Sequence, residues 1–236
     1  MGVTSFDAPQ WFISSFVRSA RGAGVTASEE AIRDVGQKLL ECWAQPQRRF
    51  HNLRHLADVL GRVDELSQET HHPELVRLAA WYHGAVFAVH PGPVPSYQVG
   101  EDCTASAKLA VQQLAGLGMP ADRARRVGEL VNALARHAPD SGDVDSAVLS
   151  DADLAVLATE PQRYREYLRE VREEYADISP ADFVNTRIEI LSRLLARHRL
   201  FSSPRAEMWE EAARQNIDAE LQRLRKEQSK LAAASA

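Results

Sequence analysis

Apolar residues in this chain recur at offsets of three and four almost from end to end, a spacing that admits helices and very little else. Ile32, Val35, Leu39 and Trp43 form one such stripe, with Thr26 or Ser28 placed to cap it. Leu56, Val59, Leu60, Val63 and Leu66 form the next. Leu75, Leu78, Ala79, Tyr82 and Val86 follow, with Pro73 suited to a first turn. Further helices are expected at about 104–117, 120–137, 147–158, 161–177, 181–198 and 205–228. No alternating stretch that reads as a strand exceeds four residues. The pattern predicts an all-α bundle of about nine or ten helices.

The breakers between these stripes are short. The longest is 90–100, whose three prolines and two glycines forbid a helix. None has the length or composition of an interdomain linker, and no internal repeat is present. Residues 1–236 are therefore expected to form one domain, with a core over about 25–225 and a frayed tail at 229–236. The last helix carries Trp209, Ile217, Leu221 and Leu224 among many charges, the pattern of an amphipathic helix facing a core. It is also long enough to support a homodimer.

Charge and cysteine usage narrow the function. With 28 Lys+Arg against 33 Asp+Glu the net charge is −5, and no long basic block is present, which argues against a nucleic-acid partner. An apolar fraction of 44% is too high for a disordered chain. No run reaches the roughly 18 apolar residues of a membrane span, and the start, Met1 to Asp7, has no basic region leading into an apolar one. Cys42 and Cys103 are too few and too far apart for a thiolate zinc site, and they suit a reducing cytoplasm.

The candidate chemistry lies in histidines and carboxylates. His51 and His55, four apart in Phe50-His51-Asn52-Leu53-Arg54-His55, would share one face if both were helical, a geometry used to hold divalent metals. A surface pair or a helix-start cluster would look the same. His83 lies in the apolar stretch 79–87, where a hydrogen-bonded core histidine is the plainer reading. His137 closes a helix and would suit its dipole. Asp151 and Asp153 stand among apolar neighbours, so a carboxylate there needs a helix start or a metal as partner.

In order along the chain, these segments resemble the HD superfamily of metal-dependent phosphohydrolases, in its branch of small bacterial all-helical members. The resemblance runs from about Arg49 to about Leu224. It rests on Phe50-His51-Asn52-Leu53-Arg54-His55-Leu56, Ala80-Trp81-Tyr82-His83, Glu101 through Ala107, Asp151-Ala152-Asp153-Leu154, Arg172-Glu173-Glu174-Tyr175 and Asn216. The first segment is also similar to the His-Asn-x-x-His signature of cyclic-nucleotide phosphodiesterases. The resemblance implies one divalent ion (zinc, iron, manganese or magnesium) held by His55, His83 and Asp151, with His51 as proton donor. It implies hydrolysis of a small phosphorylated metabolite or nucleotide, with His137 assisting a second ion or the phosphate, and Arg172 and Arg187 as phosphate contacts.

One departure stands out. Where the family has a His-Asp doublet, this chain has His83-Gly84, and glycine has no side chain to ligate anything. Glu101 or Asp102, just past the Pro-rich segment, is a candidate substitute, and His90 a further one. Gly84 either admits a close approach or marks a lost catalytic group. The second expectation is therefore an altered relative that binds a small ligand with little or no metal, or one with non-hydrolytic chemistry.

Overall fold

The computed structural model describes residues 10–88 and 100–234. Among these, ten helices follow in order: α1 (Gln10–Gly22), α2 (Glu29–Trp43), α3 (Leu53–Glu65), α4 (Pro73–Tyr82), α5 (Cys103–Gly116), α6 (Ala121–Ala133), α7 (Val144–Leu154), α8 (Pro161–Glu174), α9 (Pro180–Leu195) and α10 (Glu210–Ala234). The all-α expectation is met. Side-chain caps fix many of the starts: Ser28, Asn52, Asp102, Asp143 and Ser179 each accept a backbone N–H from the first turn they precede. Proline opens α4, α8 and α9, where its missing N–H costs nothing.

Helix α4 occupies the middle of the bundle, with α1, α3, α5, α6 and α7 packed against it. Its surroundings leave every residue from Leu78 to Ala85 buried. A large apolar side chain fully removed from water contributes about 1.5–3 kcal/mol, and Trp43, Trp81, Phe16 and Leu56 are all in that class. Trp209, Ile217, Leu221 and Leu224 are buried too, so the last helix does face the core.

The boundaries differ from the sequence pattern in instructive places. The core extends before residue 25, because Phe12 and Phe16 of α1 meet the Trp81 ring edge-on at 5.7 and 5.1 Å. Helix α4 stops at Tyr82, so Gly84 lies in the turn beyond it. The chain then forms a short antiparallel pair, β1 (Phe87–Ala88) with β2 (Gly100–Glu101), Phe87 opposite Glu101. His90 and the Pro-rich segment before Gly100 lie outside the described residues. Residues 204–209 form a 3-10 turn before α10. Helix α10 extends to Ala234, its last turns including Ala232 and Ala233, residues of high helix propensity. Among the described residues, no helix is long and apolar enough to cross a membrane.

Candidate metal centre

Asn52 decides how the first two histidines are presented. Its side chain accepts from Arg54 N at 2.9 Å and its own backbone is extended, so α3 begins after it. His51 therefore precedes the helix, and the expected shared helix face does not form. His55 lies in the first turn, buried with Leu56 and Val59 on the inner side. The two rings still meet edge to face, centroids 5.4 Å apart.

His83 is held by the end of α4. Its Nδ1 lies 2.6 Å from the Ala80 carbonyl. A carbonyl can only accept, so Nδ1 carries the proton and Nε2 of the neutral ring keeps its lone pair. Burial, aided by the neighbouring His55, pushes the His83 pKa down, against Glu101 and Asp153, which keeps that ring neutral. The lone pair points at His55: the two Nε2 atoms are 3.1 Å apart.

The carboxylate that joins them is Asp153, not Asp151. Two positions apart on a helix are about 200° apart around it, so Asp151 and Asp153 cannot serve one site. Asp153 Oδ1 is 3.1 Å from His55 Nε2 and 3.7 Å from His83 Nε2. Asp151 is instead committed to the backbone before α10, accepting Ser202 N at 2.9 Å and Ser203 N at 2.6 Å. His137 supports Asp153 from behind, its Nε2 2.6 Å from Oδ2. Helix α6 ends at Ala133, earlier than the pattern suggests, and His137 sits in the turn that follows with a left-handed φ of 43°. Burial opposes ionisation of Asp153, but hydrogen bonds from His137 and His55 and the nearby His83 outweigh it and hold the carboxyl well below its usual range.

Glu101 completes the cluster. Its Oε1 lies 3.7 Å from His83 Nε2, is buried, and has no hydrogen-bond partner among the described residues. One ligand atom from each of His55, His83 and Glu101 falls within 4.8 Å of the others. Gly84 makes this possible. A Cβ at that position would meet Glu101 Oε1 at 2.9 Å and the Trp43 ring at 2.5 Å. The space next to His83 is thus occupied by the Glu101 carboxylate and by tryptophan. Asp102 takes no part; it caps α5, accepting Ala105 N at 2.8 Å.

A tetrahedral ion with bonds of about 2.0–2.1 Å sets its ligand atoms about 3.3–3.4 Å apart. The His55–His83, His55–Asp153, His83–Asp153 and His83–Glu101 separations, 3.1 to 3.7 Å, bracket that value, and the His55 and Glu101 ligand atoms lie within 4.8 Å of each other. Two imidazoles and two carboxylates form a donor set suited to zinc, iron or manganese. The residues present fit a divalent cation.

No protein-family model matches the chain, and no curated protein matches it. What the cluster can do must be read from its own surroundings.

Two cavities reach it. The larger, about 660 Å³, touches His51, His55, Glu101, His137 and Asp153 and runs on to side chains of α8 and α9. A second, about 480 Å³, also reaches His55 and Asp153, from the α3 side. His51 faces the larger one. Glu174, the last residue of α8, grips it: Oε2 accepts the Phe50 and His51 backbone N–H groups at 3.0 Å each, and Oε1 pairs with His51 Nδ1. Burial disfavours the charged ring, but Glu101, the Glu174 hydrogen bond and Asp153 prevail and push its pKa up to about 9. Arg187 lines the cavity, paired with Glu220, whereas Arg172 lies over the Phe183 ring and donates to the Tyr175 carbonyl at 3.2 Å, outside the lining.

Asp153, Glu174 and Arg48 had no role assigned from the sequence, although Asp153 was weighed beside Asp151. Asp153 stood in the same Asp-x-Asp segment as Asp151, and Glu174 in the Arg-Glu-Glu-Tyr segment. Arg48 gave no signal; its buried guanidinium donates to the Gly84 carbonyl at 2.6 Å and pins the turn after His83.

Proposed function

We propose that this chain is a metal-dependent phosphohydrolase acting on a small phosphorylated molecule, with one divalent ion held by His55, His83, Glu101 and Asp153. The observation that carries this reading is the convergence of two imidazole Nε2 atoms 3.1 Å apart on a buried Glu101 oxygen that has no other partner. An uncompensated polar atom in such a place costs about 1–3 kcal/mol, and a cation would remove that cost for Glu101 Oε1. When bound, the ion supplies Lewis-acid polarisation of a phosphoryl oxygen and a water acidified towards neutrality. Glu101 replaces the carboxylate that Gly84 lacks.

The other roles belong to the chain itself. Glu174 holds Nδ1 of His51, so Nε2–H is presented to the cavity, placed to give its proton to a departing alkoxide. His137 fixes the rotamer of Asp153. Arg48 and Trp43 keep the His83-Gly84 turn rigid, Trp43 Nε1 donating to the Trp81 carbonyl at 3.0 Å. The free thiols of Cys42 and Cys103 support a reducing cytoplasm as the setting.

The test is elemental analysis of the full chain purified without chelator, paired with phosphate release from generic esters. About one ion per chain and activity lost in both His55→Ala and Asp153→Asn are expected. A metal-free protein that takes up none of zinc, iron, manganese or magnesium on soaking overturns the reading in favour of metal-independent ligand binding.

A further inference from the structure

The larger cavity has a wall of two kinds. Around the cluster it is polar and charged. Where α8 and α9 close it, carbon predominates in Val171, Ile178, Phe183, Ile190, Leu191 and Leu194, with Thr186 and the Tyr167 and Tyr175 rings between them. The arginines that α9 brings to this wall already have partners. Arg187 gives Nε to Glu220 Oε1 at 2.7 Å and Nη2 to the Tyr167 hydroxyl at 2.9 Å, while Arg193 pairs with Glu189 at 3.1 Å. Arg197 is spent on the Arg136 and His137 carbonyls. A hydroxyl-rich or base-like group placed against this side would regain only part of the hydrogen bonds it leaves in water, whereas an apolar group would gain.

We infer that the cavity takes a phosphate ester of an aromatic or branched aliphatic alcohol, with the phosphate at His51, His55 and Asp153 and the carbon skeleton against α8 and α9. The volume of about 660 Å³ sits inside the range of about 300–1,000 Å³ typical of small-molecule pockets. The aromatic rings near the junction, Phe50 and Tyr167 in edge contact at 4.7 Å, offer a face to a planar substituent. This inference rests on the reading of the cluster as a phosphoester-cleaving centre and narrows its substrate away from sugar phosphates and nucleotides.

The experiment uses the full chain loaded with manganese. Calorimetry compares the non-hydrolysable 1-naphthylmethylphosphonate with 2,3-dihydroxypropylphosphonate, and phosphate release compares 1-naphthyl and 3-methylbutyl phosphate with glycerol 3-phosphate and AMP. The apolar compounds are expected to bind, and to be cleaved, at least tenfold better. Ile190→Asn, at a position 41% exposed and so safe for folding, should narrow that preference at least threefold, and Phe183→Ser likewise. Preferential binding of the naphthyl phosphonate with no ester cleaved sustains the ligand class and overturns the hydrolase reading. Equal cleavage of polar and apolar esters does the reverse. Failure of the naphthyl phosphonate to bind, or an unchanged preference in both variants, overturns the inference.

Discussion

Gly84 offers the sharpest quantitative test, because two substitutions there separate steric from electrostatic effects. A Cβ would stand 2.5 Å from Trp43 Cη2, 3.0 Å from Cζ2 and 2.9 Å from Glu101 Oε1. Trp43 cannot swing aside cheaply: it is fully buried, its indole N–H is hydrogen-bonded, and the Arg48 guanidinium lies 5.4 Å from its ring centre. Overpacking of this sort costs about 1–3 kcal/mol, offset by about 0.4–1 kcal/mol from the stiffer unfolded chain. Gly84→Ala should therefore lose about 1–2 kcal/mol, or about 3–6 °C in Tm for a chain of this size. Displacing Glu101 should also weaken manganese binding at least tenfold. Gly84→Asp adds a carboxylate beside Glu101 and Asp153, and like charges about 4 Å apart repel by about 4 kcal/mol at an effective dielectric near 20. Its loss of Tm in chelator should be at least twice that of the alanine variant, with no gain of phosphatase activity. Differential scanning fluorimetry with and without manganese reads both. An alanine variant that melts within about 1 °C of the wild type, or an aspartate variant with raised turnover, would refute the argument that this glycine exists for close approach.

The remaining tests are shorter. Asp151→Asn should cost about 1–3 kcal/mol by weakening the grip on the 202–203 backbone yet keep its metal, whereas Asp153→Asn should lose metal; equal metal content in both variants would sink the assignment of α7. Chelation of a chain saturated at about 100 times Kd should lower stability by about 2.7 kcal/mol, read as a Tm shift that added manganese reverses. Asp145 accepts the Thr70 hydroxyl, the His71 and His72 N–H groups and the His72 ring, with Arg126 and Asp143 beside it. Burial opposes its charge, but these bonds hold its pKa below the ordinary 3.8, so the stability it contributes is complete above that value and lost as pH falls through the lower one. Asp145→Ala should flatten the acid limb of a urea-midpoint profile; an unchanged limb would show that Asp145 does not drive it.

Much of the bundle was legible because helix periodicity and caps are local. Ser28 marks its helix start in the sequence and in space. Helix ends were less so. The α4 stripe continues to Val86 by spacing, but the chain leaves the helix at Tyr82 to pair Phe87 with Glu101, a partner fourteen positions on that no local pattern announces. The site was legible in its histidines and not in its acids. Choosing between Asp151 and Asp153 needs the rotation of α7 about its axis, which is set by what packs on each side. Glu101 was weighed only as a substitute, since its reach depends on the space that Gly84 leaves. Arg48 acts through the backbone of a distant turn, and Glu174, though it lies in a segment the sequence marked, had no partner that local pattern could name.

Helix α7 is a two-sided anchor. Asp151 fastens the stretch of chain that leads into the C-terminal helix, and Asp153, two positions on, belongs to the histidine cluster. Residues 202–203 and the histidine cluster are thus anchored to one and the same helix.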